Sequence, residues 1–456
     1  MSVAAPGAVQ AFLERAESMS LLNELIADVR ASSQGRLVLL GGEAGVGKTA
    51  LLRRFCETQE KSVAILWGAC QPLRTPRPLG PFLDAAEATG GELQELVSGA
   101  ARPHEVAAAL LRELRARGPT VLVLEDLHWA DEATLDVMSL VGARIGSAPV
   151  LVLASYRDAE LDRSEQLRFI LGELVGRPQR IKLEALSQAA VAELAEPHGV
   201  DGEELYRRTG GNAFFVIEAL AAGNEAIPET VRDAVLARAA RLSEPARRLL
   251  EIVAVVPGQL DVWLLERLAG EVAGRLEECL ASGMLVAGRT HVAFRHELAR
   301  LAIDEACAPN RRLALHRSTL AALVDQGGGD LDLAQLAHHA EAAGDAESVV
   351  RWAPRAAERA ASSGAHREAA AQYARALRFA DGLSLETRVE LLQRRADECY
   401  ITAQFAEAIE AQQGALELQR LHLLDVREHA LQVGGPARQV QLSLREPPQP
   451  ILEELL

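Results

Sequence analysis

The sequence has few lysines and no long apolar run. Of its 48 basic residues only three are lysines, Lys48, Lys61 and Lys182, so 45 are arginines. No apolar run reaches the about 18 residues that a transmembrane helix requires. The first residues, MSVAAPGAVQAFLERAE, also lack the charged and apolar regions of a secretory signal. We therefore expect a cytoplasmic protein without a membrane partner, whose 456 residues suffice for two to four domains.

Paired cysteines and an excess of positive charge are also missing. The five cysteines show no CxxC or zinc-like spacing, which favours reduced structural thiols. The net charge of −16 provides no overall basic surface for nucleic acid. A small DNA-binding module could still lie within an acidic chain. The cysteines are Cys56, Cys70, Cys279, Cys307 and Cys399.

A glycine-rich segment gives one of the rare lysines a role. Residues 36–40 are typical of a buried strand, the next residues fit the pattern G-x-x-x-x-G-K-[ST], and a helix follows. In this motif, backbone N–H groups and the helix N-terminus bind phosphate, the lysine reaches the β- and γ-phosphates, and the threonine binds Mg²⁺. We therefore predict a site for ATP or ADP with Mg²⁺, although a glycine-rich turn without a ligand is the alternative. The segment consists of Gly42, Glu43, Ala44, Gly45, Val46, Gly47, Lys48 and Thr49.

Two adjacent acids follow a second apolar strand. In the stretch VLVLEDLHWAD, residues 121–124 are apolar and Glu125 and Asp126 come next. Two neighbouring carboxylates are costly to bury without a cation or a solvated edge. In P-loop proteins, a strand beside the phosphate-loop strand ends in an acid that holds Mg²⁺. We predict that one acid holds the metal ion and that the other orients or deprotonates the attacking water; a solvated acidic turn is the alternative.

Three further strands complete the predicted sheet. Residues 150–154 are apolar, and Arg157 follows shortly after them, where a cation could sense the γ-phosphate. Arg157 could instead pair with Asp158 or Glu160. Residues 62–69 and 180–186 are the fourth and fifth strand candidates.

Eight segments, in this order, resemble the signal-transduction ATPases with numerous domains, and most closely the large ATP-binding LuxR-type regulators of bacteria. The resemblance covers about residues 13–420. It implies an α/β P-loop NTPase fold, with a parallel sheet of the AAA-like kind and a helical lid, followed by an all-α winged-helix region and tetratricopeptide-like helical repeats. The segments are LERAESMSLLNEL, GGEAGVGKT, WGACQPLRTPRPLGPF, LVLEDLHWADEATLD, LASYRDAEL, RRTGGNAFFVIEAL, PETVRDAVLARAARLS and VAFRHELARLAI.

The resemblance also implies roles for single residues. Arg15 lies in the short N-terminal motif, whose backbone helps to seat the adenine. Glu125 takes the position of the first acid, where the family usually has aspartate, and Asp126 matches the second acid. Arg157 matches the sensor position. His296 corresponds to the winged-helix histidine that reaches the β-phosphate in the resting state; a structural side chain is the alternative.

One further motif departs from the family pattern. Residues 211–215, GNAFF, match a motif that normally reads GNPFF. The family's proline packs on the adenine side of the site. Because Ala213 replaces it here, that contact is not expected in this chain.

The chain divides into five predicted regions. They are a P-loop ATPase core (1–170), a helical lid (171–227), a winged-helix-like domain (228–320), tetratricopeptide-like helical repeats (331–420) and an irregular tail (421–456). In the repeat region, HREAAAQYARAL at 366–377 recurs as FAEAIEAQQGAL at 405–416, an offset of 39 residues. A plain bundle of alanine-rich helices is the alternative. The tail shows no helix-turn-helix pattern.

These features predict an ATP-binding signal-transduction switch that hydrolyses ATP slowly. ATP would favour a form that self-associates, and the helical repeats would bind an inducer or a partner protein. A transcriptional regulator that binds DNA in its full-length form is one alternative, and the regulatory ATPase module of a nucleotide cyclase system is another. We expect no DNA binding by this chain itself.

Overall fold

A computed structural model describes residues 13–432, apart from residues 61, 74, 88, 100, 162–166, 169, 171, 173–177, 223–228 and 327–331. Its first part is a five-stranded parallel sheet with the order β2-β3-β4-β1-β5. The predicted parallel α/β fold is therefore confirmed, and all five predicted strands are present. The strands are β1 Arg36–Gly42, β2 Ala64–Ala69, β3 Thr120–Glu125, β4 Val150–Ser155 and β5 Gln179–Leu183.

The strand order corrects one expectation. The strand that ends in the two acids, β3, does not lie beside the phosphate-loop strand β1, because β4 lies between them. The register pairs Ser155 of β4 with Leu40 of β1, and Ala154 of β4 with Leu124 of β3. The end of β4 therefore lies between the phosphate loop and the acids. Strand order depends on contacts between distant segments, and the apolar patterns used for the prediction are local.

Both faces of the sheet are covered, so its central strands are buried along their whole length. All six residues of β3 and all six of β4 are buried. Val121 and Val123 pack on the face covered by α1 and α2, whereas Leu122 and Leu124 pack on the face covered by α3–α6. The helices are α1 Ala16–Ser32, α2 Lys48–Gln59, α3 Gly80–Glu87, α4 Gly91–Ser98, α5 Pro103–Arg117, α6 Glu132–Ala143 and α7 Asp158–Leu161.

A small helical unit and a mixed unit follow the sheet. The helical unit contains α8 Gln188–Ala195, α9 Gly202–Thr209 and α10 Ala213–Ala222, which share a core of their own. The mixed unit contains α11 Val231–Ala240, α12 Glu244–Ala254, α13 Val262–Ala269, α14 Leu276–Ala281, α15 Glu297–Ala306 and α16 Pro309–Gln326. It also has an antiparallel sheet of order β6-β8-β7, formed by β6 Gln259–Asp261, β7 Leu285–Ala287 and β8 His291–Phe294. This sheet corrects the all-α expectation for this region.

The last described part consists of consecutive helices, each packed on the next. They are α17 Leu333–Ala342, α18 Ala346–Ser362, α19 His366–Leu377, α20 Leu385–Ile401 and α21 Phe405–Gln432. These helices also contact the ATPase core, where Gln372 Nε2 donates to Thr75 Oγ1 over a distance of 3.0 Å. One continuous hydrophobic cluster extends from the sheet through α5 and α6 to α18 and α19.

The end of the helical region lies later than expected. Helix α21 extends to Gln432, twelve residues past the predicted boundary at residue 420. The segment lacks glycine and proline up to residue 433 and can therefore continue a helix. Its leucines at 421, 423 and 424 are exposed, which is why no apolar periodicity marked it. Residues 433–456 of the predicted tail lie outside the described residues.

Within the ranges that the structure describes, five short 3₁₀ turns connect these elements: Leu127–Trp129, Ile145–Ser147, Glu196–His198, Gly270–Arg275 and Ala380–Gly382. None of the helices in the described ranges combines the length and the apolar character needed to cross a membrane.

Candidate nucleotide site

The glycine-rich loop connects β1 to α2 and requires glycine where another segment approaches it. Gly45 has a φ of 79°, a left-handed conformation that side chains rarely adopt. A Cβ atom at Gly45 would lie only 2.7 Å from Oδ1 of Asn212. Helix α2 begins at Lys48, so its unpaired N-terminal N–H groups face the loop. The local geometry is that of an anion-binding helix N-terminus.

The Lys48 side chain is folded back over this loop. Its Nζ donates to the carbonyl oxygens of Gly42 and Glu43, at 2.8 Å each. Burial lowers the pKa of Lys48 to about 8, while the Asp126 carboxylate opposes that change. A phosphate near Nζ would restore the charged ammonium, because an opposite charge favours the protonated form.

The loop is held from the outside by the helical unit. Asn212 Nδ2 donates to the Ala44 carbonyl oxygen at 2.7 Å, and Phe214 N donates to the Gly45 carbonyl oxygen at 2.9 Å. Asn212 Oδ1 also accepts from Phe215 N at 3.2 Å, at the start of α10. The GNAFF motif therefore contacts the phosphate loop directly. Sequence reasoning had considered only an adenine-side contact for this motif.

The N-terminal motif holds the loop from the other side. Arg15 Nη2 donates to the carbonyl oxygens of Val46, at 3.1 Å, and Glu184, at 2.9 Å. The Arg15 side chain is buried, and burial lowers its pKa. The preceding residue, Glu14, accepts two hydrogen bonds from Ser187 at the start of α8. The side chain of Arg15 thus links the loop to the end of β5; the adenine contact inferred for its backbone stays a prediction.

The first acid, Glu125, ends β3 inside the protein. Trp67 Nε1 donates to Glu125 Oε2 at 3.2 Å, and Oε1 is buried without a hydrogen-bond partner among the described residues. Burial raises the pKa of Glu125 to about 7, and a hydrogen bond with the Thr49 side chain opposes the rise. Thr49 and Glu125, both predicted to bind Mg²⁺, therefore belong to one site.

The second acid, Asp126, has a left-handed backbone conformation with φ 56° and ψ 47°. Its N–H donates to Ser155 Oγ at 3.0 Å, so the end of β4 fixes this turn. Burial raises the pKa of Asp126, and the positive charges of Arg157 and Lys48 oppose the rise. The structure thus brings Arg157 into the same electrostatic environment as Lys48 and Asp126.

Two residues of this site were missed by sequence reasoning. Trp67 lies in β2, which is paired with β3, and its indole N–H reaches Glu125 across the sheet. The His128 side chain is buried, its Nδ1 lies 3.8 Å from Asp126 Oδ1, and neither ring nitrogen has a hydrogen-bond partner among the described residues. Burial lowers the pKa of His128 to about 3, so its ring is neutral at pH 7. For His128, the signal that could have identified it was its position two residues after Asp126 in the sequence.

The structure places His296 near the residues of the helical unit that hold the loop. The rings of His296 and Phe214 are 4.5 Å apart between centroids, with an interplanar angle of 52°. Burial lowers the pKa of His296 to about 3, and the charges of Arg295, Arg53 and Arg238 act in the same direction. The imidazole is therefore neutral at pH 7. Its contact with a β-phosphate stays a prediction.

These residues fit a magnesium nucleotide. Mg²⁺ prefers oxygen ligands, and the Thr49 hydroxyl and Oε1 of Glu125, which has no hydrogen-bond partner among the described residues, are both of that kind. The pKa of about 7 indicates that Glu125 lacks a sufficient positive charge nearby, which a divalent cation would supply. Thr49, Glu125 and Asp126 are the residues that could hold this ion.

Residues 11–153 match the family model of the AAA ATPase domain. An uncharacterized protein of Rhizobium meliloti is 27% identical over 412 residues, which cover 74% of this chain and 40% of that protein. The chain thus spans less than half the length of the curated relative that it matches.

The fold is similar to that of a solved signal transduction ATPase with numerous domains, which carries a tetratricopeptide repeat sensor and comes from Pyrococcus horikoshii. The TM-score is 0.53 at 14% identity, over 92% of this chain and 67% of that chain. A Walker-type ATPase of Pyrococcus abyssi has a TM-score of 0.35 and 15% identity, over 64% of this chain and 95% of that chain.

Proposed function

We propose that this chain is an ATP-binding switch of the signal-transduction ATPase class with numerous domains, related to the LuxR-type regulators. It binds ATP or ADP with Mg²⁺ and hydrolyses ATP slowly. The AAA ATPase match over residues 11–153 and the P-loop fold support the proposal that the chain binds a nucleotide. The organisation of ATPase core, helical lid, winged-helix-like region and repeats supports a switch more than a simple metabolic ATPase.

The observation that carries the proposal is the way in which the lid holds the phosphate loop. Asn212 donates a hydrogen bond to the carbonyl oxygen of Ala44, and Phe214 N donates to that of the next loop residue, Gly45. A phosphate group that rearranges this loop must therefore act on the start of α10. Because the Phe214 ring also contacts the His296 ring, such a change passes from the nucleotide to the winged-helix-like region.

The residues divide the chemistry between them. Lys48 and the loop N–H groups bind the phosphates, and Thr49 and Glu125 hold the metal ion, which neutralises phosphate charge. Asp126 orients the attacking water or accepts its proton, and a group in that role contributes about 10²–10⁴ in rate. Arg157 senses the γ-phosphate from the end of β4, between the loop and the acids.

The helical repeats pack on the ATPase core in a way that suits a resting form. Arg367 N donates to Glu132 Oε2 at 3.1 Å, at the N-terminus of the helix that follows the acids. The Gln372–Thr75 hydrogen bond joins the same two regions. An inducer or partner bound to the repeats would compete with these contacts. ATP would then favour the released form, which self-associates.

The test is to identify the bound nucleotide after native purification and to measure the mass of the nucleotide-free and ATP-loaded protein. We expect about one nucleotide for each chain, and a larger particle with ATP and Mg²⁺ than with ADP. The Lys48→Ala variant provides the control, because it keeps the fold and lacks the phosphate ligand. A wild-type chain that binds neither ATP nor ADP would refute the proposal.

A further inference from the structure

Three histidines meet where the winged-helix-like region joins the helical repeats. His316 lies on α16, and His338 and His339 are adjacent residues on α17. The two helices pack against each other. This site belongs to neither the nucleotide pocket nor the contacts between the repeats and the ATPase core.

The ring nitrogens of the three histidines are close enough to share one ion. One nitrogen from each lies within 4.8 Å of the other two. Nδ1 of His316 and Nδ1 of His339 are 2.9 Å apart. The ring centroids are 5.8 Å apart for His316 and His338, 5.1 Å for His316 and His339, and 5.2 Å for His338 and His339.

Burial makes this arrangement costly without a ligand. His339 has no exposed surface, and its Nε2 has no hydrogen-bond partner among the described residues. A hydrogen bond between two neutral imidazoles would satisfy the Nδ1 atoms of His316 and His339. That bond leaves Nε2 of His339 buried and unpaired, whichever tautomer is present.

The surrounding charges permit a cation. Arg300 is bonded to Glu297, and Arg375 is bonded to Glu341, so these two positive charges are largely compensated. Arg312 also faces His316, and it donates to the Asp304 carbonyl oxygen. Burial lowers the pKa of all three histidines, so each is neutral at pH 7 and offers a lone pair.

We propose that His316, His338 and His339 together bind one divalent transition-metal ion, with zinc as the first candidate. Neutral imidazole is a common zinc ligand, and three histidines with one open position form a known type of zinc site. Nitrogens on one tetrahedral zinc ion lie about 3.3 Å apart, given Zn–N distances of about 2.0–2.1 Å. The half-buried His338 can turn to close the remaining gap, and water can reach the fourth position on its side.

Such an ion would cross-link α16 and α17. It would fix the angle between the winged-helix-like region and the first repeat helix, as a structural metal does in a small domain. Removal of the metal would loosen this junction without changing the nucleotide site.

The experiment uses untagged, nucleotide-free protein, because a histidine tag or a bound nucleotide would itself bind metal. The chain is treated with a chelator, dialysed against Zn²⁺, and analysed for metal by mass spectrometry. Co²⁺ replaces Zn²⁺ in a parallel sample for its visible spectrum. The variants are His338→Gln, which changes the least buried ligand, and His339→Gln; His422→Gln, at an exposed position on α21, is the matched control.

We expect one tightly bound Zn²⁺ for each wild-type and His422→Gln chain, and at least a tenfold weaker affinity in His338→Gln. The Co²⁺ spectrum should show d–d bands without thiolate charge transfer, which excludes the five cysteines as ligands. Zn²⁺ should also raise the melting temperature of the wild type but not of His338→Gln. Equal zinc binding by the wild type and a folded His338→Gln variant would overturn the proposal, as would a wild type that retains no zinc after dialysis.

Discussion

The side-chain amide of Asn212 donates a 2.7 Å hydrogen bond to the carbonyl oxygen of Ala44, across 168 residues of sequence. The same side chain accepts from Phe215 N through its Oδ1 atom. Asn212 therefore fixes the start of α10 with one atom and the phosphate loop with the other. Substitutions of Asn212 can therefore distinguish its effect on the stability of the helical unit from its effect on the phosphate loop.

We expect Asn212→Ala to weaken both functions. Loss of a helix N-terminal cap of this kind costs about 0.5–2 kcal/mol in the free energy of unfolding. Loss of the bond to Ala44 frees the loop, and ATP affinity should fall several-fold, in keeping with the about 0.5–1.5 kcal/mol of one net hydrogen bond. Urea unfolding and calorimetric titration with ATP measure the two effects.

Asn212→Asp is the matched variant. It keeps an acceptor for Phe215 N but places a carboxylate against the Ala44 carbonyl oxygen. We expect near wild-type stability of the lid with the same or a greater loss of ATP affinity. Asn23→Ala, which removes an exposed hydrogen bond to Gln59, should change neither quantity. Unchanged ATP affinity in Asn212→Asp would contradict the coupling of lid and loop.

Lys48→Ala should abolish tight ATP binding. Hydrogen bonds to charged groups contribute about 1.5–3 kcal/mol each, so affinity should fall at least tenfold by calorimetry. The stability of the free protein should change little, because the Lys48 bonds within the described part of the chain go to carbonyl oxygens of its own loop. Lys182→Ala removes an exposed lysine paired with Glu184 and is the control. If ATP affinity is unchanged in Lys48→Ala, the site assignment is wrong.

Asp126→Asn should bind ATP normally and hydrolyse it more slowly. The amide keeps the size of the side chain but cannot accept a proton, and the expected loss of rate is about 10²–10⁴. Single-turnover hydrolysis of labelled ATP measures the rate apart from binding. If Glu125→Gln alone stops hydrolysis and Asp126→Asn does not, the roles of the two acids are reversed.

Stability should depend on pH through Glu368, whose carboxyl is buried at the contact between α19 and the ATPase core. Burial, and then the charge of Asp131, raise the pKa of Glu368 to about 8, against 4.5 for an ordinary glutamate. Burial also raises the pKa of Asp131, and the hydrogen bonds that Asp131 accepts from Thr134 N and Leu79 N oppose that rise. The folded chain therefore holds a proton on Glu368 that the unfolded chain releases above pH 4.5.

The free energy of unfolding should accordingly fall as the pH rises from about 4.5 to about 8. Above about pH 8 the titration of Glu368 should cause no further fall. Glu368→Gln removes the titration, so the variant should be more stable than the wild type at pH 8 and less dependent on pH. Urea unfolding at several pH values tests this, with the exposed Glu410→Gln as control. The assignment would be contradicted if, over the same pH range, the stability of the wild type rose more than that of Glu368→Gln.

The purified chain should not bind a specific DNA sequence. The apolar residues of α12, in the mixed unit, are buried in its core, and the net charge is −16. A selection from random duplexes at about 100 mM salt should enrich no motif. Enrichment of one motif, lost when residues 228–308 are deleted, would show that this region reads DNA.

The sequence predicted local features well because their signals are local. Buried parallel strands are continuous apolar runs, and the phosphate loop has a fixed spacing of glycines around Lys48. The order of the strands was not predictable in this way, since nothing in the run at 150–154 shows that it lies between the other two. The same applies to Trp67, whose contact with Glu125 exists only because β2 and β3 pair.

Contacts between distant helices were beyond sequence reasoning for the same reason. His338 and His339 are adjacent in sequence, but only the packing of α16 on α17 brings His316 to them. Glu368 lies in an alanine-rich segment that predicts a helix and nothing about its burial against Asp131. The end of α21 was missed because its leucines at 421, 423 and 424, which are exposed in the described part of the chain, do not follow a helical period.

The long-range bonds of the phosphate loop also affect the order in which the protein matures during synthesis. Helix α2 is local and can form early, whereas strand β1 pairs with β4 and β5 and must wait for them. Residues 184 and 212, which complete the contacts of Arg15 and the loop, emerge later; at about 5–20 residues per second, the 168 residues between Ala44 and Asn212 take about 10 to 30 s. During that interval a nascent chain carries the whole glycine-rich motif without the lid that shapes it. Bound nucleotide would therefore stabilise the loop during the late steps of folding as well as in the finished protein.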